Sequence, residues 1–197
     1  MISIQDLFFT TKTSKRRSFS LATIFALCAV VLLTANESSA KPFANYAEVL
    51  SYMQKIVNDF PKDAQFFDLG PNDDGVMIKG LAIGHGTTAN LVVATHHGNE
   101  YGSTAVALAV ARDLAAQVIP EQTIYVIPVL NINGYDANRR SERKKGSGYD
   151  PNRDYPGPCG TEGPFNLKST AALAKFVEQA GIVTSATLHT YYPGVLY

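Results

Sequence analysis

At 197 residues, with 46% hydrophobic and 17% charged side chains, the chain has enough apolar content for one globular domain with a core of its own. Its 17 Lys and Arg balance 17 Asp and Glu, which excludes the strong basic field of a nucleic-acid or anionic-membrane binder. Two cysteines, one of them in the N-terminal leader, exclude a disulfide framework.

Lys12, Lys15, Arg16 and Arg17 precede an uncharged apolar run from Leu21 to Leu33, and Ser38, Ser39 and Ala40 supply small residues at a cleavage point. This three-part layout predicts a signal peptide over residues 1–40, with an uncleaved anchor as the alternative. The mature protein is then expected outside the cytoplasm, secreted or periplasmic, with no membrane association. Residues 1–40 carry four basic and two acidic side chains, so the remainder has 13 Lys and Arg against 15 Asp and Glu, a net charge of −2. Cys28 leaves with the leader and Cys159 is left alone.

Asn45 is a good N-cap, with Glu48 three residues on, and Tyr46, Val49, Leu50, Met53, Val57 and Phe60 recur at helical intervals up to Pro61. A hairpin is predicted next, from Phe66 to Gly70 and from Val76 to Ile83 around a Pro-Asn-Asp-Asp-Gly turn. His85, between glycines, reads as a surface residue. Leu91, Val92 and Val93 then form a buried strand that stops at Thr95-His96-His97-Gly98-Asn99-Glu100, and a helix runs from Tyr101 to about Leu114. Pro120 breaks the chain before another strand, Thr123 to Ile127. Strand, helix and strand in this order make a βαβ unit, so part of the sheet is expected to be parallel.

His97 and Glu100, three apart in the turn after a buried strand, can reach one ion there. A catalytic zinc takes three protein ligands, and imidazole and carboxylate are its usual ligands other than thiolate. His189 is the candidate third ligand, because it follows another strand-like run, Ile182 to Leu188. His96 competes with His97 for the first position, at a spacing of four from Glu100. Between the two sites lies a segment from Asp136 to Pro158 with almost no aliphatic side chains, rich in arginine and lysine but interleaved with Asp136, Glu142, Asp150 and Asp154. A pocket for a carboxylate suits this better than nucleic acid, since arginine grips carboxylates in bidentate fashion. A helix is predicted from Asn166 to Ala180.

His97-Gly-Asn-Glu100, Asn131-Ile-Asn-Gly-Tyr135, Arg143, Asp150-Pro-Asn-Arg-Asp154 and His189-Thr-Tyr191 stand in the order found in zinc carboxypeptidases of the carboxypeptidase A type, which the chain resembles from about Leu69 to its last residue. The resemblance implies an α/β fold with a mixed, partly parallel central sheet flanked by helices. It implies one zinc ion held by His97, Glu100 and His189. Asp150 would accept a hydrogen bond from His97, Arg143 would polarise the scissile carbonyl, Asn152 and Arg153 would bind the substrate's terminal carboxylate, and Tyr191 would line a subsite. The implied activity is removal of a C-terminal residue from a peptide or a peptidoglycan-type stem peptide.

Two features depart from the family. Asn131-Ile-Asn-Gly134 stands where Asn-Pro-Asp-Gly is usual. The family's general base follows the His189 segment, so the domain, residues 41–197, is expected to be C-terminally incomplete and to lack that base. Two other readings compete. One is an N-acyl amino acid hydrolase resembling aspartoacylase and succinylglutamate desuccinylase. The other is a non-catalytic secreted module that binds zinc or peptide termini.

Overall fold

Five strands form the central sheet in the order β1 (Ala64–Pro71), β2 (Met77–Ile83), β4 (Gln122–Ile127), β3 (Thr88–Ala94) and β7 (Ile182–Leu188). These come from a computed structural model that describes residues 41–161 and 163–190. The signal-peptide reading of residues 1–40 and the role given to Tyr191 lie outside those residues.

β1 and β2 pair antiparallel, as the Gly/Asn/Asp turn predicts, and β2 pairs antiparallel with β4. β3 lies parallel to both β4 and β7, so the sheet is mixed. The parallel half matters most here. In register, Ala94 of β3 lies opposite Leu188 of β7, so both strands run out at one edge of the sheet. The residues that follow them, 95–100 and 189–190, are therefore brought side by side by topology alone.

Helix α1 (Tyr46–Asp59) starts where its cap predicts: the Asn45 side chain accepts from the Glu48 amide at 3.0 Å, and Glu48 reaches back to the Ala44 amide at 2.8 Å. Tyr46, Val49, Met53 and Ile56 are its buried stripe, while Leu50 and Val57 are only half-buried. Losing this cap through Asn45→Ala is expected to lower unfolding free energy by about 1 kcal/mol in a urea titration, because the Glu48 amide loses its acceptor.

Helix α2 (Tyr101–Ala116) packs on β2, β3 and β4 through Ala107, Leu108, Ala111 and Ala115, whose small side chains let it lie close to the sheet. Helix α4 (Lys168–Gln179) packs on β1 and β7. Its Phe176 stacks on Phe67 of β1 at 4.9 Å, and Tyr125 of β4 meets both rings edge-on at 5.2 and 5.0 Å. Gly80 is the register partner of Phe67, and a Cβ there would stand 2.3 Å from the Phe67 ring, so the cluster requires glycine.

Where sequence reading finds only irregular chain after β4, the structure has more. Asn131 caps a five-residue helix, α3 (Ile132–Asp136), and a two-stranded hairpin follows, β5 (Glu142–Lys144) and β6 (Ser147–Tyr149). Lys145 and Gly146 both have positive φ, 50° and 86°, as a two-residue hairpin loop demands. A 3-10 turn, Pro151–Arg153, completes the segment.

Candidate metal centre

The turn after β3 begins with Thr95, a β-branched residue at φ 57°, a conformation such residues rarely adopt. Three buried oxygens hold it there: its hydroxyl lies 3.1 Å from Ser103 Oγ, 2.6 Å from Thr104 Oγ1 and 3.1 Å from the Pro128 carbonyl. The chain consequently leaves the sheet sharply and presents His96 and His97 at its edge. Asn131 ties the same turn from beyond β4. Its Nδ2 donates to the carbonyls of His96 and Arg140, both at 3.1 Å, while its Oδ1 accepts from the Gly134 amide. Gly98 lies so close to α3 that a Cβ would fall 2.0 Å from the Gly134 carbonyl carbon.

His97 and Glu100 are buried, with 3% and 7% of their side chains exposed; 32% of the His189 side chain is exposed. His97 Nδ1 lies 2.8 Å from Glu100 Oε1, and His189 Nδ1 lies 2.8 Å from Glu100 Oε2. One donor atom from each of the three falls within 4.8 Å of the others, and among the described residues this is the group of three or more that can share an ion.

On its far side His97 meets a second carboxylate. Nε2 is 3.0 Å from Asp150 Oδ1, and Asp150 also accepts from the Asn152 amide at 2.9 Å. Both ring nitrogens of His97 thus face a carboxylate, Nδ1 toward Glu100 and Nε2 toward Asp150, and a metal ion taken up at Nδ1 would leave the proton on Nε2, where Asp150 accepts it. Burial alone would raise the Asp150 carboxyl. Its hydrogen bonds from Arg140, the neighbouring His97 and the Asn152 amide outweigh that and leave it below the ordinary value. The donor set is thus two imidazoles and one carboxylate, buried at His97 and Glu100 and open to solvent at His189, and it suits zinc.

His96, the competing candidate, is engaged elsewhere. Its Nε2 lies 2.9 Å from the Tyr155 hydroxyl. Burial, with His189 and His97 adding to it, pushes the His96 imidazole down to about 3, while burial pushes the Tyr155 phenol up. The pair is therefore neutral, with the phenol donating to the imidazole, and His96 Nδ1 faces no polar partner.

The remaining predicted residues divide. Asn152 joins His96, Tyr155 and His189 at one end of a cavity of about 580 Å³, whose apolar wall includes Leu91, Val93, Leu173 and Val177. Arg153, which does not line that cavity, is half-buried, its Nη1 donating to the Asn152 carbonyl at 3.2 Å. His85 is exposed, as expected from its flanking glycines, and touches the Lys62 carbonyl.

Arg143 is not among the side chains against the histidines. It is exposed on β5, pinned through its backbone to Asn133, and it borders a separate cavity of about 150 Å³ with Asp74 and Arg139. The physical reason is the pleat: the preceding residue, Glu142, is fully buried, so Arg143 must face the other way. Arg140 takes the place at the site. Its Nε and Nη2 donate to Asp150 Oδ2 at 3.1 and 2.8 Å, and its Nη1 lies 3.3 Å from His97 Nδ1. Sequence reading singled out neither Arg140 nor Asn131 for this role. The Lys-Gly loop signal of the β5–β6 hairpin, had it been used, would have separated the two arginines.

Comparison with solved structures finds the same fold. Bovine thrombin-activatable fibrinolysis inhibitor, solved with a tick carboxypeptidase inhibitor, superposes with a TM-score of 0.68 at 19% identity, over 78% of this chain and 62% of that one. Carboxypeptidase A from Helicoverpa armigera gives 0.68 at 18% identity, over 87% and 53%. A metallo-carboxypeptidase from Pseudomonas aeruginosa, in complex with (2-guanidinoethylmercapto)succinic acid, gives 0.54 at 14%, over 73% and 38%. The matched part of this chain thus spans between about two fifths and three fifths of these proteins. The zinc carboxypeptidase family itself matches residues 49–197, which take in the whole sheet and every residue of the candidate centre, and the chain belongs to that family.

Proposed function

We propose that this chain carries the metal-binding and terminus-recognising part of a secreted or periplasmic zinc metallocarboxypeptidase, which hydrolyses the last peptide bond of a substrate with a free C-terminal carboxylate. The observation that carries the reading is the Glu100 carboxylate seated between the Nδ1 atoms of His97 and His189 at 2.8 Å from each, with Asp150 3.0 Å from Nε2 of His97. His97, Glu100 and His189 would hold one zinc ion. The chemistry it supplies when bound is Lewis acidity toward a carbonyl and acidification of a water.

The chain's own residues do the rest. Asn152 and Arg153, consecutive on one 3-10 turn, receive the terminal carboxylate beside the cavity. That anchors the chain end and makes the last peptide bond the one presented to the histidines. Arg140, already charge-paired with Asp150, offers a fixed guanidinium toward the carbonyl oxygen as negative charge grows on it. Peptidoglycan stem peptides and ordinary peptides both present the required carboxylate.

Binding of three probes to the zinc-loaded chain by calorimetry tests the reading: a blocked dipeptide with a free carboxylate, its C-terminal amide, and an N-acyl amino acid. The free carboxylate is expected to bind at least about tenfold more tightly than the amide, a difference of about 1.4 kcal/mol. Equal binding of acid and amide would remove the role given to Asn152 and Arg153. Binding of the N-acyl amino acid alone would transfer the chain to the acylase reading.

A further inference from the structure

Glu142 sits in β5 two residues beyond Arg140, with its side chain turned inward and fully buried. Its Oε2 accepts from Ser169 Oγ at 2.5 Å, at the first turn of α4, and its Oε1 meets no polar partner. Asp154, equally buried, makes a useful contrast: its oxygens receive the amides of Asn166 and Leu167 and the hydroxyl of Thr170. Three donors suit a charged carboxylate, whereas one donor and a bare oxygen suit a neutral acid.

The charged groups around Glu142 point the same way. Asp73 and Asp74, from the turn between β1 and β2, and Asp154, after the 3-10 turn, all oppose a negative charge there. Along β5, Arg143 faces the opposite side of the strand, and Lys144 is directed to Asp73 at 3.9 Å and to the Asn166 carbonyl. Along the strand from Glu142, Arg140 supports the metal turn twice. Its carbonyl accepts from the Gly98 amide and Asn131 Nδ2, and its guanidinium holds Asp150.

We propose that Glu142, as a neutral acid, is a positioning residue: it clamps the β5–β6 hairpin to α4 and so seats Arg140 and Asp150 against His97. The inference rests on the reading of the metal centre given above. Burial, reinforced by the three aspartates and only partly offset by Ser169, lifts the Glu142 carboxyl from an ordinary 4.5 to about 7. A carboxyl raised in the folded state keeps its full contribution below its unfolded value and loses it as pH rises through the folded value. The clamp is therefore closed in mild acid and opens on passing neutrality.

The experiment takes the full chain through urea unfolding from about pH 5 to about pH 8, and through zinc competition titrations over the same range, as wild type, Glu142→Gln and Ser169→Ala. Wild type is expected to lose stability toward pH 8 while Glu142→Gln stays flat, so that the variant becomes the more stable of the two above neutrality. Ser169→Ala, which removes the lone donor to the carboxyl, shifts the wild-type transition to higher pH and carries the test if the glutamine variant does not fold.

Protonation of the histidines is common to both proteins and cancels in the ratio of their zinc affinities. That ratio is expected to fall by about tenfold from pH 5 to pH 8 to the disadvantage of wild type, in the range that outer partners of a metal ligand command. Parallel unfolding curves would overturn the proposal, and so would diverging curves with a constant affinity ratio, which would leave a buried acid with no hold on the site. A wild-type chain that takes no zinc at any pH would instead sink the metal-centre reading, and the unfolding series would then decide the clamp alone.

Discussion

Glu100→Gln is expected to weaken zinc binding well beyond the tenfold to about hundredfold that replacing an outer partner costs, and Asp150→Asn is expected to fall inside that range. The two substitutions are nearly isosteric and remove the same charge, so the comparison separates a ligand from its support. Glu100 faces both imidazoles, and it is the one anionic member of the donor set. An amide there would remove that charge and turn an N–H toward one of the two Nδ1 atoms. Asp150 acts from behind, on Nε2 of His97, and the Arg140 guanidinium and the Asn152 amide hold its oxygens. In the asparagine variant the amide oxygen can still accept from His97, so the tautomer survives at reduced strength. Competition against a chromogenic chelator at fixed pH gives both constants, and far-ultraviolet circular dichroism confirms that the sheet persists. If Glu100→Gln bound zinc within about tenfold of the parent, the ion would have to be coordinated elsewhere.

What sequence reading recovers is the part of the molecule that depends on local pattern and chain direction. The run Leu91 to Val93, the His-x-x-Glu spacing and the apolar run before His189 place three candidate ligands at strand ends, and parallel pairing of β3 with β7 brings those ends together. No spacing rule could state that pairing, because β4, α3, α4 and the β5–β6 hairpin intervene in the chain. The choice between His96 and His97 was likewise legible only as a preference. Two adjacent residues leaving a strand face opposite ways, and which of them faces Glu100 is set by the positive φ of Thr95 and by Tyr155, some sixty residues on.

The segment from Asp136 to Pro158 resisted reading for a different reason. Its strands are three residues long and carry no aliphatic alternation, so the pattern that identifies strands elsewhere has nothing to act on. The inward position on β5 is filled by a glutamate, which a hydrophobicity pattern scores as solvent-facing. The role given to Arg143 came from the family resemblance, which carries no information on the pleat of this strand. Burial of Glu142 turns Arg143 away from the histidines, and Arg140, which lies before the strand and escapes its pleat, stands at the site instead.

That reversal has a direct consequence for catalysis. Arg140→Ala is expected to lower kcat by about a hundredfold to a thousandfold in a protein competent for turnover, the loss typical of removing one donor to a developing oxyanion, while Arg143→Ala is expected to leave it nearly unchanged. The distinction comes from where each guanidinium is held. Arg140 is fixed by two bonds to Asp150 and stands 3.3 Å from His97 Nδ1, so it is ordered before any substrate arrives. Arg143 borders the cavity shared with Asp74 and Arg139, away from the histidines. A phosphonate analogue of the peptide, which carries negative charge where the oxyanion forms, separates the effect from substrate binding: Arg140→Ala should lose far more affinity for the analogue than for the parent peptide. Arg140→Lys keeps the charge but cannot keep both bonds to Asp150, so it should recover only part of the loss. The opposite ranking, with Arg143→Ala crippling and Arg140→Ala mild, would mean that the β5–β6 hairpin turns Arg143 inward when substrate binds, and the role would return to the residue that family resemblance first suggested.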